Sequence, residues 1–176
     1  MGAGKSSVGR ALGERLGWAF EDLDARIELR ERRRVSEIFR DSGEAGFRRA
    51  EHAALKELLR ELREGAEKVV ALGGGAFAQQ DNIDLIEAGQ AVTVFLDADV
   101  AELWRRCRQQ AAQQGMERPL LGSRHTFRAL YAARRPYYLK ALFRQDTVDK
   151  TVDEIVAALA EALRLSPSGE KRGETN

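Results

Sequence analysis

The sequence holds one cysteine, Cys107, and no excess of either charge: 29 lysines and arginines stand against 28 aspartates and glutamates. A lone cysteine excludes an intramolecular disulfide and fits a reducing compartment, so the expected location is cytoplasmic. The charge balance argues against a nucleic-acid or membrane surface as the main partner, because such binding normally needs a clear basic excess. The basic run "RIELRERRR" is interleaved with Glu28 and Glu31 and reads as a solvated helix face. No apolar run reaches the roughly 18 residues of a spanning helix, and no signal-peptide apolar region is evident. His52 and His125 stand alone, without metal-ligand spacing. No Ser-His-Asp or Cys-His arrangement appears, and Cys107 falls in an amphipathic pattern where packing is the expected role. What remains is a soluble, globular chain.

The 176 residues suit one domain with a single core. Val8, Ala11, Leu12 and Leu16 recur at helical spacing, and Gly17 stops that helix. "WAFED" reads as a short strand. Helical stretches follow, one around "SEIF" with Ser36 as its cap. A longer one, "GEAGFRRAEHAALKELLRELREG", places Phe47, Leu55, Leu58, Leu59 and Leu62 on one stripe. "KVVAL" and "AVTVFLD" are continuous apolar runs, the pattern of strands covered on both faces. Asp99 is placed to cap "DVAELWRRC". A polar, glutamine-rich stretch from Gln109 to Arg118 leads into "RPLLGS". Two helical segments are expected to flank Pro136, with a last strand at "DTVD". Thr151 to Glu154 reads as a capping box opening a final helix to about Leu165. The polar residues 166–176 read as a disordered tail. Strands alternating with helices predict an α/β domain built on a mostly parallel sheet.

Six places carry chemistry. "MGAGKSS" supplies the end of a G-x-x-x-x-G-K-[ST] phosphate loop. Gly2, Ala3 and Gly4 offer backbone donors at close approach. Lys5 offers a cation, and the helix after it offers its positive dipole end. Ser6 and Ser7 follow, with the Ser6 hydroxyl placed for Mg²⁺. "DLD" puts Asp22 and Asp24 at a strand end, both on one side if the chain stays extended; a helix cap is the alternative. Arg48 in "GFRRAE" is either a ligand group or a helix arginine paired with Glu44 or Glu51. Gly73, Gly74 and Gly75 end a buried strand, where α/β sheets bind ligands. Arg118 lies in a segment able to serve as a lid that neutralises transferring charge. Arg134 or Arg135 could clamp a carboxylate.

In order and wording these pieces resemble the shikimate kinases. The match runs from "MGAGKSSVGRALGERLG" through "FEDLDARIE", "SEIFRDSGEAGFRRAE", "VVALGGGA" and "ERPLLG" to "ARRPYY". It covers about Met1 to Leu163. The resemblance implies a P-loop, nucleoside-monophosphate-kinase-like fold: a parallel sheet with helices on both faces and a lid over about residues 108–122. It implies ATP-dependent phosphorylation of the 3-hydroxyl of shikimate by a monomer. Lys5 would hold the β- and γ-phosphates, with Gly2, Ala3, Gly4, Ser6 and Ser7 around them. Ser6 and Asp22 would serve Mg²⁺. Asp24 would bind the substrate hydroxyls and position or deprotonate the attacking one. Arg48 and Arg134 would grip the carboxylate, with Gly73, Gly74 and Gly75 lining the ring. Arg118 would close over the phosphates, and Arg106 would lie near adenine. Another small-metabolite kinase of the same fold, or a catalytically impaired relative that binds ligand or partner, also fits these residues.

The loop's first glycine would fall two residues before Met1. The central strand that ordinarily precedes it is missing from this chain as well. The reading is that the natural protein begins upstream, with Met1 an interior loop residue. A chain starting at Met1 is expected to be weakly active and of low stability.

Overall fold

The computed structural model describes residues 2–114 and 123–165. Arg118, most of the expected lid and the expected tail lie outside the described residues. The chain forms two compact units. One runs from Ser6 to Ala91 and includes the segment from Val152; the other comprises the residues up to Lys5 together with Val92–Thr151.

In the first unit, α1 (Lys5–Leu16) leads to β1 (Ala19–Asp22), α2 (Leu23–Glu31), α3 (Val35–Arg63), β2 (Lys68–Ala71), a 3₁₀ turn (Ala76–Ala78) and α4 (Gln80–Ala88). Helix α7 (Val152–Ala162) also belongs to this unit. Strands β1 and β2 pair in parallel, from Ala19 opposite Lys68 to Asp22 opposite Ala71. A Cβ built on Gly9 would lie 2.7 Å from the Phe20 ring, so α1 reaches that close to β1 only because a glycine stands there. Leu23, Ile27, Ile38, Phe47, Ala54, Leu55 and Leu59 form the core between α2 and α3. The stripe predicted from Phe47 to Leu59 is buried as expected; Leu62 packs at its margin. Helix α3 is bent at Gly43, whose φ of 67° and ψ of −177° are non-helical. The two helical stretches read from the sequence are therefore one run with a glycine break. It begins at Val35 rather than after Ser36, and the Arg34 amide donates to Glu37 Oε2 at 2.8 Å.

Charged residues tie these elements at the strand edge. Lys68 Nζ lies 2.8 Å from Glu21 and 2.6 Å from Glu61, and Arg26 pairs with both carboxylates. The bond from Lys68 holds the Glu61 carboxyl below its ordinary pKa, and the bonds from Glu21 and Glu61 raise Lys68.

In the second unit, β3 (Val94–Asp97), α5 (Val100–Gln114), α6 (Arg124–Tyr138) and β4 (Phe143–Asp146) follow in order. Strands β3 and β4 are parallel, from Val94 opposite Phe143 to Asp97 opposite Asp146. Asp99 caps α5 as expected, accepting from the Ala101 and Glu102 amides at 2.9 Å each. Helix α5 runs on to Gln114, so the start of the glutamine-rich stretch is helical. Cys107 is buried with Leu103 and Phe127, a packing role. Two expectations shift here. The last strand is Phe143–Asp146, not "DTVD", because Thr147 turns in to donate its amide to the Asp97 carbonyl. Pro136 lies inside α6, in its last turn, and the helix runs through it to Tyr138, so the two segments expected to flank it are one helix that ends two residues later.

Each parallel pair is two-stranded among the described residues, whereas the resemblance implies one continuous sheet. No described helix is long and apolar enough to cross a membrane.

Candidate active site

The loop before α1 is shaped by its glycines. Gly2 and Gly4 have φ of 68° and 78°. A Cβ on Gly2 would meet the Leu103 carbonyl at 2.6 Å and Cys107 Sγ at 2.8 Å, so any side chain there would push the loop off α5. Helix α1 then starts at Lys5, directly after the loop. The Ser6 hydroxyl donates to Asp22 Oδ2 at 3.1 Å. The other Asp22 oxygen accepts from the Asp24 amide at 3.0 Å and caps α2. The strand ends at Asp22 and a helix starts at Leu23, so period-two alternation does not place this pair. The cap bond does, setting Asp24 in the first turn of α2 directly after Asp22. Cap and candidate ligand are here the same residue. The Ser6 hydroxyl beside the Asp22 carboxylate is an all-oxygen set, of the type that suits Mg²⁺.

Around the triglycine turn the packing is closer still. A Cβ on Gly73 would lie 2.7 Å from Asp24 Oδ1 and 3.4 Å from Glu51 Oε1. One on Gly75 would lie 2.5 Å from both terminal nitrogens of Arg48. Bare backbone at Gly73 and Gly75 therefore lets Asp24, Arg48 and Glu51 converge on one turn. Arg48 takes both partners anticipated from helical spacing: Glu51 at 2.7 Å and Glu44 at 3.1 Å. Glu51 is 1% exposed, Glu44 is largely in solvent, and Arg48 is mostly covered. Burial works against the charge on Arg48, yet its bonds to Glu51 and Glu44 outweigh that and raise its pKa. Its Nε is buried with no hydrogen-bond partner. An unpaired buried donor on a guanidinium is costly unless something accepts from it. This orphan sits on the arginine singled out as a carboxylate ligand.

In the second unit, the neighbouring arginines of α6 differ. Arg135 pairs with Asp97 at 3.5 Å. Asp97 also accepts from Arg144 Nε at 2.7 Å and from the Tyr131 hydroxyl at 3.0 Å. Burial, then the bond to Asp97, raises the Tyr131 phenol. Arg134 makes no ion pair among the described residues, which leaves it the available member of the pair. Arg106 is engaged within its own unit, donating to Glu102 at 2.6 Å and to the Thr147 hydroxyl and carbonyl at 3.0 and 2.8 Å. Two buried polar groups escaped the sequence reading. Asp97 ends an apolar strand run, and Asn82 is fully buried in α4. The only sequence signal for either is a short polar side chain next to apolar neighbours.

The family model described as shikimate kinase matches residues 1–164. A shikimate kinase from Ruegeria pomeroyi is 42% identical, over 91% of this chain and 81% of that one. Among solved structures, a shikimate kinase from Acinetobacter baumannii in complex with shikimate superposes with a TM-score of 0.77. It is 30% identical, covering 93% of this chain and 88% of that one. The Aquifex aeolicus shikimate kinase gives a TM-score of 0.78 at 31% identity, over 93% and 92%. The fold is thus the α/β P-loop kinase fold, and the chain belongs to the shikimate kinase family.

Proposed function

We propose that this chain transfers the γ-phosphoryl group of ATP to the 3-hydroxyl of shikimate. The observation that carries the reading is the convergence of Asp24, Arg48 and Glu51 on a turn of bare glycine backbone, with the Arg48 Nε left unpaired. A small polyhydroxylated acid needs this combination: a cation for its carboxylate, a carboxylate for its hydroxyls and backbone groups at close range. Shikimate bound to the Acinetobacter relative supports the same assignment.

Phosphoryl transfer asks for alignment and positive charge on the γ-oxygens more than for covalent work. Lys5, with Gly2, Ala3, Gly4, Ser6 and Ser7, binds the phosphates at the start of α1. Ser6 and Asp22 would serve Mg²⁺, which would neutralise phosphate charge. Asp24 binds the substrate hydroxyls and positions or deprotonates the attacking one. Arg48 and Arg134 grip the carboxylate, and Gly73, Gly74 and Gly75 line the ring. Arg118, in a lid over about residues 108–122, adds charge over the phosphates, and Arg106 lies toward adenine. Residues 1–165 act as one kinase domain, monomeric and cytoplasmic, with 166–176 as a tail; the lone, buried Cys107 and balanced charge support that setting.

A coupled ADP-release assay tests the reading. Shikimate-dependent turnover is expected, with little response to other hydroxy acids or nucleoside monophosphates. Turnover of a different acceptor in that panel, with none of shikimate, would overturn it.

A further inference from the structure

His52 follows Glu51 in α3, and its Nδ1 lies 2.8 Å from Asn82 Oδ1. Asn82 is 1% exposed. Its Nδ2 donates to the Ala76 carbonyl at 3.0 Å, a fully buried bond. A carbonyl only accepts, so the Asn82 atom facing Ala76 is the nitrogen and the one facing His52 is the oxygen. An amide oxygen also only accepts, so His52 Nδ1 carries a hydrogen. The direction is fixed throughout: His52 donates to Asn82, and Asn82 donates to Ala76.

Both ends of this relay are informative. Ala76 directly follows the three glycines, is 0% exposed, and donates its amide to the Gly73 carbonyl at 3.1 Å. His52 lies on the helix that carries Arg48 and Glu51. The relay therefore joins the helix bearing the guanidinium to the turn whose Gly75 backbone presses against it. Nothing in the phosphate chemistry uses either residue. A fully buried asparagine with both amide atoms engaged holds one geometry, since turning it leaves a donor facing a donor.

We propose that His52 and Asn82 are positioning residues for shikimate: their relay sets the spacing between Arg48 and the Gly73–Gly75 turn. The proposal deepens the kinase reading and rests on it. Neither residue touches substrate.

Three variants test it. Asn82→Asp is nearly isosteric; it replaces the donor to Ala76 with an acceptor and adds a buried negative charge. His52→Leu removes the donor to Asn82. His52→Gln restores an amide donor. The first two are expected to raise the shikimate KM about five- to tenfold, the worth of one hydrogen bond, with the ATP KM and kcat within about twofold. His52→Gln is expected to recover most of that loss. In Asn82→Asp, amide hydrogen exchange across residues 76–79 should quicken, and in the wild type nitrogen NMR should show a proton on His52 Nδ1. Variants with lowered Tm but unchanged shikimate KM would make the relay merely structural and overturn the proposal. Wild-type protein without shikimate turnover would defeat the kinase reading by itself. The relay then stands or falls on the exchange and NMR arms: unchanged exchange, or a bare His52 Nδ1, overturns it.

Discussion

Two clusters of arginine and carboxylate, one in each unit, use the same groups to opposite ends. At Asp97 a single buried carboxylate is saturated: Arg144, Arg135 and the Tyr131 hydroxyl all point to it. Its own carbonyl accepts from the Thr147 amide and hydroxyl at 2.9 and 3.1 Å. At Arg48 a single guanidinium has two carboxylates, one buried and one in solvent, and still keeps an unpaired Nε. The wall beside it is backbone without side chains. A closed cluster braces the C-terminal end of β3. The cluster at Arg48 stays open in one respect: it keeps a donor to spare. Residual hydrogen-bonding capacity separates the two, more than charge or burial does.

The contrast can be broken by substitution. The largest effect is expected at Asp24, whose carboxylate meets the same glycine turn as Arg48. Asp24→Asn should lower kcat about 10²- to 10⁴-fold, the usual worth of a general base, with Tm little changed. Steady-state kinetics beside a thermal melt check this. Next is the closed cluster. Asp97→Ala should cost about 2–3 kcal/mol by stripping several partners at once, a Tm loss of roughly 5–10 °C. Turnover per folded molecule should hold. A kinetic defect without a stability defect would erase the distinction between the clusters. Gly75→Ala comes third. Its Cβ would displace a guanidinium pinned by Glu51 and Glu44, so the shikimate KM should rise about tenfold, with stability within ~1 kcal/mol. The smallest effect lies away from both clusters. Bonds from Arg105 and then Arg106 lower Glu102 from the ordinary 4.5 to about 2. Its contribution to stability is therefore full above pH 4.5 and is lost as pH falls toward 2. The stability gap between wild type and Glu102→Gln should shrink over that window in acid titrations.

Much of this could be read before any coordinates. The α1 and α3 stripes, the Asp99 cap and the apolar runs of β2 and β3 all carry periodicity or chemistry that local sequence displays. Strand β4 could not be read, because "FRQD" is polar and mostly exposed and its pairing is set by β3. Pro136 suggested a break that the last turn of α6 tolerates. Arg48, Asp24 and the glycines, which the structure brings together at one turn, were singled out by order and wording. The pairing of Arg135 with Asp97 could not be read, because the two are far apart in sequence. His52 looked isolated because its partner lies thirty residues on, in another helix. Long-range polar pairs leave no spacing to count.

The central claim is that the spare capacity of Arg48 recognises the substrate carboxylate. It is tested most directly by calorimetric binding of shikimate and its neutral carboxamide to wild type and to Arg48→Gln. Wild type should prefer the carboxylate by at least about tenfold, the worth of one charge-assisted bond, and the variant should bind both alike. Equal binding by wild type, or an undiminished preference in the variant, would contradict the account.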